Sequence, residues 1–429
     1  MTKQAQAADS AEGEWASLRA RYRLVRAQSE RLCQPLLVED YGVQSMADVS
    51  PPKWHLAHVS WFFEAFLLRP YLAGYRVLDE RYDHLFNSYY QTHGTPFPRA
   101  QRGLLSRPSV AEVYRYRAHV DQAMDRLLAQ PPAEQTAEIA RRVELGLQHE
   151  QQHQELLLMD IKHILAQNPL LPAYRSDLRA AVVRSAEPLR WHRYPGGIGH
   201  IGHGDAGFAF DCERPRHRVF VEDFQLASRP VSNAEYAAFI ADGGYRRSDW
   251  WLADGWDLLQ RAGWQAPLYW RQADGAWQEM TLGGLRELDP QAPVCHLSYY
   301  EAEAFAAWAE ARLPSEAEWE LAAQSEPMTG NFLEQDWLQP MAAAAQESGP
   351  AQLFGDVWEW TGSAFRPYPG FRALEGSLGE YNGKFMCGQM VLRGGCCATP
   401  QAHIRGSYRN FFYPAMRWQF SGLRLARGA

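Results

Sequence analysis

Two histidines stand four residues apart in "HEQQHQEL", residues 149 to 156. On a helix, positions i and i+4 share a face, so His149 and His153 project together, with Gln152 beside them. Two imidazoles one turn apart can share a metal ion. The string also fits H-E-x-x-H, in which the Glu after the first histidine, here Glu150, is the base of a metalloprotease and a third ligand comes from downstream. A second source of ligands is "HLAH", which carries His55 and His58. Three neutral imidazoles leave positions open on a ferrous ion, which suits a substrate that binds the metal together with dioxygen. Periodicity does not choose between His55 and His58.

These histidines need elements to hold them, and residues 12–170 read as helices, with apolar residues recurring every three or four positions. One helix opens the chain over about 12–34. Another follows in "DVSPPKWHLAHVSWFFEAFLL", with Ser50 as its cap and Pro51 and Pro52 in its first turn. Two more cover about 109–129 and 133–167. Four helices close an antiparallel bundle, whose core collects ligands from facing helices. Between the second and third lies "FNSYYQTHGTPFPRAQRGLLSRPS", far longer than a bundle connection, and such length points to function. "QNPLLPAYRSDL" ends the helical half, and short strands, glycines and tryptophans begin at "WHRYPGGIGHIGHG", so the boundary falls between about 170 and 190. Only two helical patterns are expected beyond it, "SNAEYAAFIADGG" and "SYYEAEAFAAWAEARLPSEAEWELAA". No repeat is visible, and the one low-complexity tract is "AAAA" at 342–345. The expected class is α+β.

The 429 residues are too many for one ordinary core, which fits two domains. A hydrophobic share of 46% and a charged share of 22% are those of a folded protein. The net charge of -7 is spread without a basic run, which argues against nucleic acid and anionic membranes as partners. There is no apolar stretch suited to a signal peptide or a membrane span, so a cytoplasmic location is expected. Six cysteines without a C-x-x-C pair support neither a disulfide framework nor a zinc knuckle. Cys396 and Cys397 read as small buried residues. The 16 tryptophans, 20 tyrosines and 19 phenylalanines suggest a loop-rich second half with a core of large rings.

Several stretches together resemble the iron-dependent sulfoxide synthases of ergothioneine biosynthesis. "PPKWHLAHVSWFFEAFLL" is similar to that family's first metal helix, "HEQQHQEL" to its H-x-x-x-H-x-E motif and "LFNSYYQTHG" to its active-site loop. "RLPSEAEWE", "GDVWEWT" and "VLRGGCCATP" resemble the formylglycine-generating-enzyme-like domain, a fold related to C-type lectins. The likeness covers nearly the whole chain. It implies a DinB-like four-helix bundle over 12–170 carrying the iron site, a linker over 171–190 and a formylglycine-generating-enzyme-like domain over 191–429.

The resemblance implies Fe(II) held by His58, His149 and His153, with dioxygen as co-substrate. His55 then supports the site from outside the ligand set, Glu155 orients a neighbour, and the protease reading is set aside. Gln152 falls where the family contacts the imidazole of hercynine, the trimethylated histidine that accepts sulfur. Asn410 would hold the trimethylammonium end, with Phe411 and Phe412 as aromatic walls. Phe412, where some relatives have an acid, favours free cysteine as donor. Tyr89 and Tyr90 are the candidate proton donors, and Arg99 and Arg102 the forks for the cysteine carboxylate. Formylglycine-generating enzymes carry a reactive cysteine in S-Y-C, whereas this chain has Ser407, Tyr408 and Arg409, so that activity is rejected. An ovothiol-type synthase is disfavoured, because no methyltransferase segment follows "RLARGA". A selenoneine-type synthase, or a metal-free ligand-binding module, stands as the alternative. Oligomeric state is left open.

Overall fold

The computed structural model describes residues 3–180, 188–204, 206–343 and 349–429. Part of the expected linker, 181–187, and part of the alanine tract, 344–345, lie outside them. The chain divides into two compact units: Met1–Ile164 with Gly376–Leu378, and Leu165–Glu375 with Gly379–Ala429.

The first unit is built on α1 (Lys3–Cys33), α2 (Pro52–Phe63), α5 (Val110–Ala129) and α6 (Thr136–Ala166), with two short helices, α3 (Arg69–Tyr71) and α4 (Tyr82–Phe86), between α2 and α5. Every residue of α2 is buried, as expected of a helix that is apolar on most sides. It runs on into a π-helical turn, Glu64–Leu68, an irregularity frequent near functional sites. Pro51, not Ser50, is its N-cap residue, and no side chain caps it. The expectation for Ser50 fails because that residue is held elsewhere: its N–H donates to Asp160 Oδ2 at 2.8 Å, and its Oγ accepts from Arg102 Nη1 at 2.9 Å. Helix α5 begins at Ser109 with a reciprocal capping box to Glu112.

The second unit carries twelve short strands among its described residues. The central sheet runs β10 (Asn410–Phe412), β9 (Met390–Arg393), β8 (Trp358–Ala364), β11 (Ser421–Leu423), antiparallel except for the parallel β8–β11 pair. A second sheet joins β1 (Trp191–Tyr194), β4 (Phe224–Ala227) and β12 (Ala426–Gly428). β2 (Gly197–Ile201) pairs with β3 (His217–Val221), and β5 (Trp270–Ala273), β6 (Ala276–Thr281) and β7 (Gly284–Glu287) form a meander. Four helices accompany them: α7 (Asn233–Ala241), α8 (Ala253–Ala262), α9 (Tyr299–Trp308) and α10 (Glu316–Ala323). The single expected run over 298–323 is thus two helices, broken after Trp308, where Glu310 takes φ 53°, and resumed past Pro314, whose ring disfavours helix at the preceding residue. Helix α8 lies outside the two helical patterns expected of this half and carries Gly255 in its first turn; it closes on Gly263 in the left-handed conformation.

The segments of this unit that carry the resemblance do structural jobs. In "GDVWEWT", Trp358 and Trp360 are buried and Glu359 accepts from Arg424 Nη2 at 2.7 Å and from Trp319 Nε1 at 2.8 Å. In "RLPSEAEWE", Ser315 caps α10, and Glu316 accepts from Arg409 Nε at 2.6 Å. In "VLRGGCCATP", Gly394 has φ 98° and packs so tightly on the Leu353 carbonyl that a Cβ would lie 2.4 Å from its oxygen. Cys396 and Cys397 are fully buried free thiols.

Candidate metal centre

Helix α2 brings Trp54, His58 and Trp61 onto one stripe, and α6 brings His149 and His153 onto another. Each of His58, His149 and His153 offers a ligand nitrogen within 4.8 Å of the other two. His58 Nε2 lies 3.2 Å from His149 Nε2, and the His153 ring centroid lies 4.7 Å from each of the other rings. His58 donates its Nδ1–H to the Phe86 carbonyl at 2.6 Å, which leaves Nε2 as a lone pair facing the cluster.

Burial decides the charge of these rings. It pushes His149 down to about 3, and holds His58 and His153 well below the ordinary imidazole value, with the neighbouring histidines adding to the effect. All three are therefore neutral at physiological pH, which is the ligating form. Three neutral nitrogens without a carboxylate are a poor host for Ca²⁺ or Mg²⁺ and a good one for a first-row transition metal. Around them, Trp54 stacks on His58 at 4.6 Å and 11°, Trp61 lies at 5.6 Å and 18°, and Phe62 packs on His149 at 4.6 Å. This aromatic wall fixes the rings and keeps water from the donors.

The long segment between α2 and α5 is pinned by Asn87, whose Nδ2 donates to the Tyr90 and Gly94 carbonyls, each at 3.0 Å, while its Oδ1 accepts from Tyr90 N. Tyr90 is fully buried against Trp61 and Phe66, and the half-buried Tyr89 stacks on it at 4.6 Å. Tyr90 is thus one ring removed from His58. Arg102 is 3% exposed, its guanidinium 3.3 Å from the Trp54 ring. Burial, then the charge of Arg99, disfavours its charged form, and its Nε has no hydrogen-bond partner among the described residues. Arg99 is exposed and donates to the Asp48 carbonyl. Gln152 is half-buried on α6.

In the second unit, the ion pair of Arg409 with Glu316 aims the strand that follows. Asn410 and Phe412 lie on one face of β10 and Phe411 on the other, because strand side chains alternate. Phe411 stacks on Phe365 at 4.0 Å and 14°, while Phe412 meets Trp418 edge-on at 5.8 Å.

Residues 21–157 match the DinB superfamily, and 193–429 match the sulfatase-modifying factor enzyme 1-like domain. The hercynine oxygenase of Mycobacterium tuberculosis is 35% identical over 404 residues, covering 88% of this chain and 91% of that protein. That of Mycolicibacterium thermoresistibile is 35% identical over 417 residues, covering 88% and 87%. The chain belongs to the hercynine oxygenase family. Ergothioneine biosynthesis protein 1 of Schizosaccharomyces pombe is 28% identical over 233 residues, 51% of this chain and 28% of that one. As a member of the hercynine oxygenase family the chain is an oxidoreductase, with a DinB-type helical domain followed by a sulfatase-modifying-factor-type domain.

Glu150 shows why H-E-x-x-H is a coincidence here. Its carboxylate accepts from Arg117 Nη2 at 2.7 Å, Arg26 Nη1 at 3.0 Å and Ser29 Oγ at 2.7 Å. Burial alone would raise its pKa, but the two guanidinium groups outweigh it and hold Glu150 at about 2. So acidic and fully engaged a group is no general base. Sequence reasoning missed Arg26 and Arg117 because they come from other helices, 124 and 33 residues away.

Proposed function

We propose that this protein is a non-haem iron(II) sulfoxide synthase that joins the sulfur of cysteine to C2 of the hercynine imidazole, making hercynylcysteine sulfoxide in ergothioneine biosynthesis. The observation that carries this reading is the convergence of three neutral histidines, two buried and His153 half-buried, in a chain 35% identical to hercynine oxygenases along 88% of its length. His58, His149 and His153 would hold the iron, which when bound supplies open positions where sulfur and dioxygen meet.

The balance is closed without a co-reductant. The thiol and the imidazole C2–H each give up a hydrogen, a C–S bond forms, one oxygen atom of dioxygen ends on sulfur and the other leaves as water. Four electrons pass from the two substrates to dioxygen. Arg99 and Arg102 take the cysteine carboxylate; the buried Arg102 guanidinium, whose Nε has no hydrogen-bond partner among the described residues, is relieved by an incoming anion. Tyr89 and Tyr90 deliver a proton to reduced oxygen. Gln152 orients the acceptor imidazole; aromatic faces attract a trimethylammonium, which cannot donate a hydrogen bond, and Asn410 and Phe412, on one face of β10, offer that chemistry, whereas Phe411 is turned to the other face against Phe365. Trp54 and Trp61 exclude water. Free cysteine is the donor, as Phe412 offers no charge to a γ-glutamyl group. The reaction takes place in the cytoplasm, in keeping with six cysteines that are all free thiols.

Offering hercynine with cysteine, γ-glutamylcysteine or a selenium donor, with and without dioxygen, and weighing the products tests the reading. An oxygen-dependent adduct of hercynine and cysteine carrying one extra oxygen is expected. Coupling only with another donor, or none at all, contradicts it.

A further inference from the structure

We infer that Asp160 and His55 form a relay that fixes the tautomer of His153, keeping its Nε2 as a lone pair for the metal; this rests on the reading of the three histidines as ligands. His55 is buried on α2, and both of its ring nitrogens are engaged. Its Nε2 lies 3.0 Å from Asp160 Oδ2, and its Nδ1 lies 2.9 Å from Nδ1 of His153. A carboxylate oxygen accepts, so His55 meets Asp160 through its Nε2–H and turns Nδ1 to His153 as an acceptor. Two facing Nδ1 atoms make a hydrogen bond only if one carries hydrogen, so His153 must donate from Nδ1. Its Nε2 is then bare. His58 reaches the same state by a shorter route, through the Phe86 carbonyl.

The fold holds the far end of the relay firmly. Asp160 is 2% exposed on α6, two turns beyond His153 and therefore near the same face. The carboxylate oxygen that faces His55 also accepts the Ser50 N–H at 2.8 Å, at the entry to α2. One carboxylate thus ties the start of α2 to α6 and sets the hydrogens on two imidazoles. It also explains why His55, one turn before His58, supplies no ligand: neither of its nitrogens has a lone pair left over. His55 and Asp160 are positioning residues, acting through His153.

The test compares Co²⁺ and Fe²⁺ affinities of the whole chain, by chelator competition under anaerobic conditions, in wild type, His55→Phe and His55→Asn. His55→Phe keeps the ring volume and removes the acceptor, and metal affinity should fall roughly tenfold to a hundredfold, the usual effect of losing such a partner. The visible bands of the Co²⁺ form should shift with it. His55→Asn, which restores a side-chain acceptor, should recover part of the affinity and of the spectrum. Melting of the metal-free proteins reports folding separately. Affinity and spectrum unchanged in His55→Phe, or no recovery in a folded His55→Asn, overturn the relay. A wild type that binds neither metal overturns the ligand reading itself.

Discussion

Glu150 and Arg117 form an ion pair at 2.7 Å in the interior of the first unit, directly after the first histidine of the metal-binding face. Both side chains are fully buried. The carboxylate beside His149 is therefore bound to the bundle rather than to the chemistry. Its second guanidinium, Arg26, comes from α1 and is fixed in turn by Asp121 at 2.7 Å. The histidine-bearing stretch of α6 is thereby held by α1 and α5.

Replacing Glu150 by Gln should cost stability, since two buried cations lose their shared anion. Breaking such a pair typically costs about 3–5 kcal/mol. Denaturant unfolding of the metal-free proteins checks this, and a loss under about 1 kcal/mol would mean that the pair is not a structural clamp.

Replacing Tyr89 and Tyr90 together by Phe removes both phenolic hydroxyls while keeping the Tyr90 ring that packs on Trp61 and Phe66 and the Tyr89 ring stacked on it. Without a proton donor for reduced oxygen, product should move from the coupled sulfoxide toward cysteine sulfinate. Product ratios by mass spectrometry decide; the same ratio in the variant removes both tyrosines from the chemistry.

Arg102→Lys keeps a charge but loses the planar fork and the face that stacks on Trp54. A charge-assisted hydrogen bond is worth about 1.5–3 kcal/mol, so KM for cysteine should rise roughly tenfold to a hundredfold with a smaller change in KM for hercynine. Equal effects on both substrates, or none, would assign Arg102 to packing alone.

Much of this was legible because it is local. The i, i+4 spacing of His149 and His153, the helix over about 109–129 and the helical run carrying His55 and His58 are all read within a few residues. What periodicity left open, the choice between those two histidines, depends on partners far along the chain: the Phe86 carbonyl for one and Asp160 for the other. Ser50 looked like a cap because its residue type suits one, yet Arg102 and Asp160 claim its hydroxyl and its N–H. Phe411 and Phe412 were read as a pair, and only strand geometry shows that adjacent residues face opposite ways.

The pH dependence of the second unit should follow Glu316. Burial alone would raise its pKa, but Arg409 and Arg393 outweigh this and hold it below the ordinary 4.5. A depressed carboxylate contributes stability that is complete above its unfolded value and is lost as pH falls through the folded one. Glu316→Gln should therefore unfold more readily than wild type at pH 7, and the gap should narrow steadily below about pH 4.5. Unfolding midpoints across pH 3–7 check it; a gap independent of pH would show that the ion pairs carry no such linkage.

The most direct test of the central claim is iron content after anaerobic reconstitution, paired with product formation from hercynine and cysteine under air, in wild type and in His149→Ala. The expected result is about one iron per chain and oxygen-dependent sulfoxide in wild type, with both lost in the variant. Iron retained and turnover undiminished in His149→Ala would contradict the assignment of the three histidines.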